Sequence, residues 1–529
     1  MAVLNEEQYL QVCEACDTVL LSPDANRETM AIPWLHVIRE HPSFLKGYVE
    51  LFTPSNAWAS YLRSVAGMVR NVASWLLQAW RALRSDGKAW KASKPLNGPV
   101  DVLFVSHLLN QADAGKATDF YFGDLPDLIR AEGRSVVVAL IDHVGINDTS
   151  IVQKWAGNDN TRVLLSRSLD FRAELSLFYK LRKESLRLAG MSKLQGSRFL
   201  GKVFARASHE AIAGGARTAL RMSVQIGQLV ATIKPKMMVV TYEGHAWERM
   251  VFASARSSNF GVQCAGYQHA ALFKMQHSAL RQLGASFDPD LIFTAGLVSK
   301  TQIENSNKLT DIPVHILGSH RKIVSRLDSK SSAPLSAYDL GADTSESNAC
   351  LVLPEGIISE CLLLFEFSLD CAAKMPELQF IWRLHPLVSR DQLIRSSYRM
   401  RNLPMNVELS DRSLEEDFKR ASHALYRGST AIVGAVCSGL KPIYLNKGNE
   451  MSIDPLYELD PVRVLVSNPL ELQNTIYKKK VQTEATTFNH KYAVRYCEDF
   501  YSRLDPEIIL SKLRQMDAGV EQRNSPMRR

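Results

Sequence analysis

The chain has 529 residues, 46% of them hydrophobic and 22% charged, with a formal net charge of +8. This is an ordinary globular composition on a chain too long for one core, so two or three domains are expected. No uncharged apolar run reaches about 18 residues, which excludes a membrane-crossing helix as a reading of the sequence. The start, "MAVLNEEQYLQVCEACDTVL", is acidic and lacks a signal-peptide core, so a cytoplasmic protein is expected. Cys13 and Cys16 form a CxxC with no second pair and no histidine cluster, and Cys350, Cys361, Cys371 and Cys437 sit in or beside apolar stretches. These read as reduced core residues, and no metal site is expected.

In chain order, residues 1–50 read as helical and loop-rich, with "AIPWLHVIREHPSFLKGY" a folded segment of no evident role. Between 57 and 94, Arg63, Arg70, Arg81, Arg84, Lys88, Lys91 and Lys94 face one acid, Asp86. Trp58, Tyr61, Leu62, Val65, Val69, Val72, Leu76, Trp80 and Leu83 recur there at spacings of three and four, one side of a helix. Two readings stay open: an interfacial membrane binder, or a helix packed on the next domain with solvated arginines. Nucleic acid is not expected, because no binding motif accompanies the charge. "KASKPLNGP" (91–99) reads as a linker.

From residue 99 short apolar runs alternate with helix-length stretches: 99–107, 135–143, 161–167, 236–244, 262–269, 290–296 and 314–320, with a long basic helical region at 170–232. A Ser-rich break at 329–349 follows, and the pattern restarts at 350–356, 380–386, 406–411, 423–429, 441–447 and 462–468. Strands nearly continuous in apolar residues and separated by helices predict parallel sheets covered on both faces. The predicted organisation is a helical extension (1–95), two tandem Rossmann-like α/β domains (96–330 and 331–515) around a central cleft, and a disordered tail (516–529).

In such sheets ligands bind beyond the carboxyl ends of the strands, so polar residues there are the candidates for chemistry. The first domain places His107, Glu243, Gly244, His245, Gln268 and His269 at such ends, with Arg249 one turn into a helix; the second places Glu355, Gly356, Arg383, His385, Pro386, Arg427, Gly428, Ser429 and Thr430. Gly428 allows a tight strand-to-helix turn whose N–H groups and hydroxyls suit a phosphate. An acid on one domain facing basic and hydroxyl groups on the other fits group transfer from a nucleotide. No Walker loop is present, and "FDPDL" (287–291) reads as a structural turn rather than a metal-binding DxD.

Glu243-Gly244, His385-Pro386 and Ser429-Thr430, in this order on two tandem α/β units, resemble the acidic-Gly, HP and Ser/Thr motifs of GT-B glycosyltransferases that use CMP-activated acidic sugars. These are the Kdo-, sialyl- and polysialyl-type enzymes of bacterial capsule and lipopolysaccharide assembly, and the likeness spans about 99–515. The resemblance implies Glu243 as the acid/base, or the nucleophile of a retaining enzyme; His269, from its place after a strand on the cleft side, is expected to act with it, and His107, Gly244 and His245 to lie on the acceptor side. It implies Arg383, His385 and Pro386 with Arg427, Gly428, Ser429 and Thr430 at the CMP phosphate, Glu355 and Gly356 by the nucleotide, and no metal or further cofactor. The partners implied are a nucleotide sugar and a glycan or glycolipid acceptor at the inner membrane face. Tyr242 stands where the family often has a second acid. A UDP-sugar or CDP-polyol donor, or a non-catalytic membrane-associated partner in polysaccharide assembly, are the alternative readings.

Overall fold

The computed structural model describes residues 3–53, 57–145, 148–155, 157, 159–321, 348–460, 462–477 and 484–524. The Ser-rich break lies almost wholly outside them. Among the described residues fourteen strands form two sheets: β1 (Trp90–Ala92), β2 (Val102–Leu108), β3 (Val136–Asp142), β4 (Thr161–Leu165), β5 (Met237–Thr241), β6 (Gln263–Gln268), β7 (Leu291–Thr294) and β8 (Val314–Ile316) in the first. The second contains β9 (Ala349–Leu353), β10 (Gln379–Trp382), β11 (Val407–Leu409), β12 (His423–Tyr426), β13 (Lys441–Leu445) and β14 (Val464–Val466). All pairs are parallel except β1 with β4. The expected linker at 91–99 therefore begins as an edge strand, Lys91 standing opposite Leu164.

Each sheet is covered on both faces, as its continuous apolar strands require. Along β2, Val102 and Phe104 enter one core while Leu103 and Val105 enter the other. Along β9, Leu351 and Leu353 face one side, Cys350 and Val352 the opposite one. The strand orders β1-β4-β3-β2-β5-β6-β7-β8 and β11-β10-β9-β12-β13-β14 reverse direction between β2 and β5 and between β9 and β12. Those two reversals are where α/β sheets open a crevice.

The N-terminal segment shares a core with the first domain: Tyr9, Val12, Cys16 and Leu35 pack with Leu181, Phe204 and Leu220. Cys13 and Cys16 are buried in it, and burial pushes the Cys13 thiol up to about 12. The chain also returns to the first sheet at its end. Ser502 N–H donates to Ala295 O (2.9 Å) and Asp505 N–H to Leu317 O (2.9 Å). Helix Glu507–Asn524 then inserts Ile509, Leu510 and Leu513 beside Val102 and Phe104. Disorder from 516 is thereby corrected as far as Asn524: Met516 packs on this core, and Asp517 pairs with Arg134 (2.7 Å) and Lys236 (2.6 Å).

Helix Ala57–Arg84 turns apolar residues outward from Val69 on; Trp58, Tyr61, Leu62 and Val65 lie outside the described side chains. Val69, Val72, Leu76, Trp80 and Leu83 are exposed, whereas Gln78 is 6% exposed and donates to Arg167 O (3.0 Å) and Glu174 Oε1 (3.2 Å). Among the described residues no helix is long and apolar enough to cross a membrane.

Candidate active site

Glu243 follows β5 at the first crevice. The chain turns at Gly244, whose φ of +85° suits glycine, and a Cβ there would run into the Ser278 carbonyl. His245 then caps helix Ala246–Ser258. The turn is fixed by a residue the sequence reading passed over. The buried carboxylate of Glu248 accepts the N–H groups of Glu243 (3.0 Å), Gly244 (2.7 Å) and His245 (2.9 Å). His245-x-x-Glu248 has the spacing of a capping box, the signal that marks it.

The Glu243 carboxylate is 19% exposed and 3.4 Å from His245 Nε2. Burial alone raises its pKa; the His245 hydrogen bond and the charges of Arg39 and His245 outweigh that and hold it well below the usual carboxylate range. His107, at the end of β2, bonds Thr241 Oγ1 (3.1 Å) and the His143 ring (2.9 Å) and meets Tyr121 and Trp247 edge-on. His269 follows β6 and lies 4.4 Å from the Tyr121 ring. Burial pushes His107 down to about 3, reinforced by neighbouring histidines, and His269 down to about 4, so both are neutral at pH 7. Half-buried rings thus surround one ionised carboxylate.

At the second crevice Glu355 and Gly356 follow β9, His385 follows β10 and Gly428 follows β12. A Cβ on Gly356 would sit 2.8 Å from the His385 ring, and one on Gly428 would sit 2.7 Å from Glu355 Oε2. Glu355, Gly356, His385 and Gly428 are therefore packed together, with Ser429 and Thr430 leading into helix Ala431–Cys437. Pro386 is exposed beside them.

The two arginines of the expected phosphate clamp are held elsewhere. Arg383 donates to Asp417 (2.9 Å) and to the Arg412 carbonyl. Because β10 ends at Trp382, residues 383 and 385 are not related by strand alternation. Arg427 is buried between Glu360 (2.7 Å) and Glu450. Arg249 bonds Asp288 and the carbonyls of Ser278 and Arg281 (2.9 and 2.7 Å). Asp288 and Asp290 accept backbone N–H groups of Leu283 (2.8 Å) and Cys264 (2.6 Å), which makes "FDPDL" the structural turn expected.

What joins the two crevices lies outside the expected set. Ser278 Oγ contacts Glu243 O (2.9 Å) and Ile38 O (3.4 Å), and Glu40 accepts Met275 N–H (2.7 Å). Next along, Ser43 N–H donates to His41 Nδ1 (3.0 Å), so Nε2 carries the proton it gives to Glu355 across the cleft (2.5 Å). Residues 38–41 thus strap Glu243 to Glu355. "REHP" (39–42) repeats the pattern of "RLHP" (383–386), the only sequence signal for this. On the opposite rim Arg321 bonds Tyr501 (3.3 Å), and its charge helps depress both His269 and His385, after burial. His41, Glu355 and Glu360 have the mutual spacing of metal ligands, but Glu360 is already neutralised by Arg427.

No family model matches the chain, and no curated protein matches it in sequence. Among solved structures it is similar to the glycotransferase of kitacinnamycin, at 11% identity and a TM-score of 0.42 over 80% of this chain and 99% of that one. It is also similar to the glycosyltransferase SnogD from Streptomyces nogalater (10%, 0.41, 79% and 100%). A third is an α,α-trehalose-phosphate synthase (UDP-forming) from Burkholderia vietnamiensis (12%, 0.43, 79% and 100%). Likeness this distant bears on neither substrate nor mechanism.

Proposed function

We propose that the protein is a glycosyltransferase that moves an acidic sugar of the Kdo or sialic acid type from its CMP conjugate to a growing glycan or glycolipid at the cytoplasmic membrane face. The observation that carries this is the strap: one ionised carboxylate, Glu243, is held at one sheet reversal, across from Glu355, Gly356, His385 and Gly428 at the other. Glu243 takes the proton of the acceptor hydroxyl, whose oxygen forms the new bond to the anomeric carbon. The bond from that carbon to the phosphate oxygen breaks, and CMP leaves with the electron pair. His385 and the Gly428–Thr430 turn receive its negative charge. The Tyr121, Trp247, His107 and His269 rings supply flat apolar surface for an acceptor sugar. In this reading the transfer needs neither metal nor cofactor.

The outward apolar side of helix Ala57–Arg84 supports the membrane part. The helix contains no acid, and Arg70, Arg81 and Arg84 are exposed on it. Purified protein is incubated with CMP-Kdo, CMP-sialic acid and UDP-sugars, and nucleotide release is measured. CMP release is expected, and Glu243→Gln lowers it by about 10²–10⁴-fold. Release of UDP alone overturns the CMP assignment; an unaffected Glu243→Gln overturns the role of Glu243.

A further inference from the structure

Arg39 is a cation without an anion. Its central carbon lies 4.9 Å from the Phe44 ring and 5.6 Å from the Phe273 ring, and its buried Nε has no hydrogen-bond partner. Of the other cleft guanidiniums, Arg383 reaches Asp417 and Arg427 two glutamates, while Arg321 bonds the neutral Tyr501 hydroxyl on the opposite rim. Aromatic faces hold a guanidinium in place but do not accept its N–H groups as a carboxylate does.

Its place in the cleft is fixed by its neighbours in sequence. Ile38 is tied through Ser278 to the Glu243 carbonyl, and His41 to Glu355. Arg39 therefore lies on the strap between the proposed base and the nucleotide side. It acts on Glu243 through space, yet the two form no ion pair within 4.0 Å.

We infer that Arg39 binds the carboxylate of the donor sugar and so selects an acidic sugar over a neutral one. This rests on the transferase reading above. In Kdo and sialic acids the carboxylate is carried on the anomeric carbon itself, one bond from the C–O bond that breaks. A residue that binds it must lie beside the group that activates the acceptor, which is where the strap puts Arg39. A neutral aldose carries hydrogen there and leaves the guanidinium bare. The planar fork matches a carboxylate with two parallel hydrogen bonds, which lysine does not reproduce.

The test compares wild type, Arg39→Gln and Arg39→Lys on CMP-sialic acid, CMP-Kdo and the methyl ester of whichever donor the wild type uses. Thermal shift with CMP alone reports the nucleotide site separately. Arg39→Gln should lower kcat/KM on the acid donor about 100-fold, a charged hydrogen-bond pair's worth, with Arg39→Lys in between. The wild type should lose a similar factor on the ester, to which Arg39→Gln is indifferent. The CMP-induced rise in Tm should be the same in all three. Activity of Arg39→Gln within twofold of wild type overturns the inference. So does equal loss on acid and ester donors, the mark of a structural role, and so does loss of the CMP shift, which would assign Arg39 to the phosphate. A wild type inactive on both CMP donors overturns the donor assignment and this inference with it. A wild type active on CMP donors but insensitive at Arg39 overturns this inference alone.

Discussion

At the scale of single residues, the site is built from backbone positions as much as from side chains. Gly244 is held at φ +85° against the Ser278 carbonyl, so Gly244→Ala must move either the turn or the 278 segment. Strain of this kind costs about 1–3 kcal/mol, and the displaced Glu243 should lose at least tenfold in kcat; kinetics and a melting curve check both. Glu40 gives a pH prediction. Burial pushes its carboxyl up to about 7, against the opposing Met275 N–H, and its Oε2 has no partner. The fold therefore favours the protonated form. This contribution to stability is complete below the ordinary value of 4.5 and is lost as pH rises through about 7. Glu40→Gln mimics the protonated group, so its Tm should match wild type near pH 5 and exceed it at pH 8. Of the residues singled out from sequence, Glu243, His269, Glu355, Gly356, His385 and Gly428 stand at the two crevices, because each ends a strand whose apolar run is easily seen. Arg383 and Arg427 were legible as cations, but their acids, Asp417, Glu360 and Glu450, are set by packing that no local pattern carries. Arg39 and His41 had no signal beyond the "REHP" echo of "RLHP", because they reach the cleft by tertiary folding of a segment without periodicity.

At the scale of elements, the strands were the most legible part of the chain, since doubly covered strands need continuous apolar runs. The exception, β1, is a three-residue edge strand of intermediate burial, with too few apolar residues to mark it. The basic helix shows the reverse case. Its periodicity was plain, but which side faces the protein is decided by Gln78 and its partners on Arg167 and Glu174. With the apolar side outward, vesicles containing anionic lipid should sediment the protein, and neutral vesicles should do so far less. Each exposed Leu or Trp buried in lipid contributes about 1.5–3 kcal/mol and each nearby cation about 1 kcal/mol. Leu76→Glu with Trp80→Glu should thus abolish sedimentation while leaving CMP release from the donor in the presence of a soluble acceptor unchanged. Sedimentation of that double variant at wild-type levels would show that the helix is not the contact.

At the scale of the whole molecule, the two domains are joined by three separate stretches: the strap at 38–41, the passage from β8 to β9, and the return at 499–505. The helix after the return was hidden in a polar sequence, "SKLRQMDAGVEQRN" (511–524), whose Leu513 and Met516 become core only beside Val102 and Phe104. Removal of residues 507–524 takes away Ile509, Leu510 and Leu513 and uncovers the Val102 and Phe104 side of the sheet that they cover. A loss of several kcal/mol is expected from three such side chains, read as a fall in Tm that CMP does not restore. A molecule held to lipid by helix Ala57–Arg84 searches for its acceptor in two dimensions. A lipid-linked glycan then meets the cleft at an effective concentration of about a millimolar, so the acceptor rings can bind weakly, let the product go, and still find the same chain end again for the next addition.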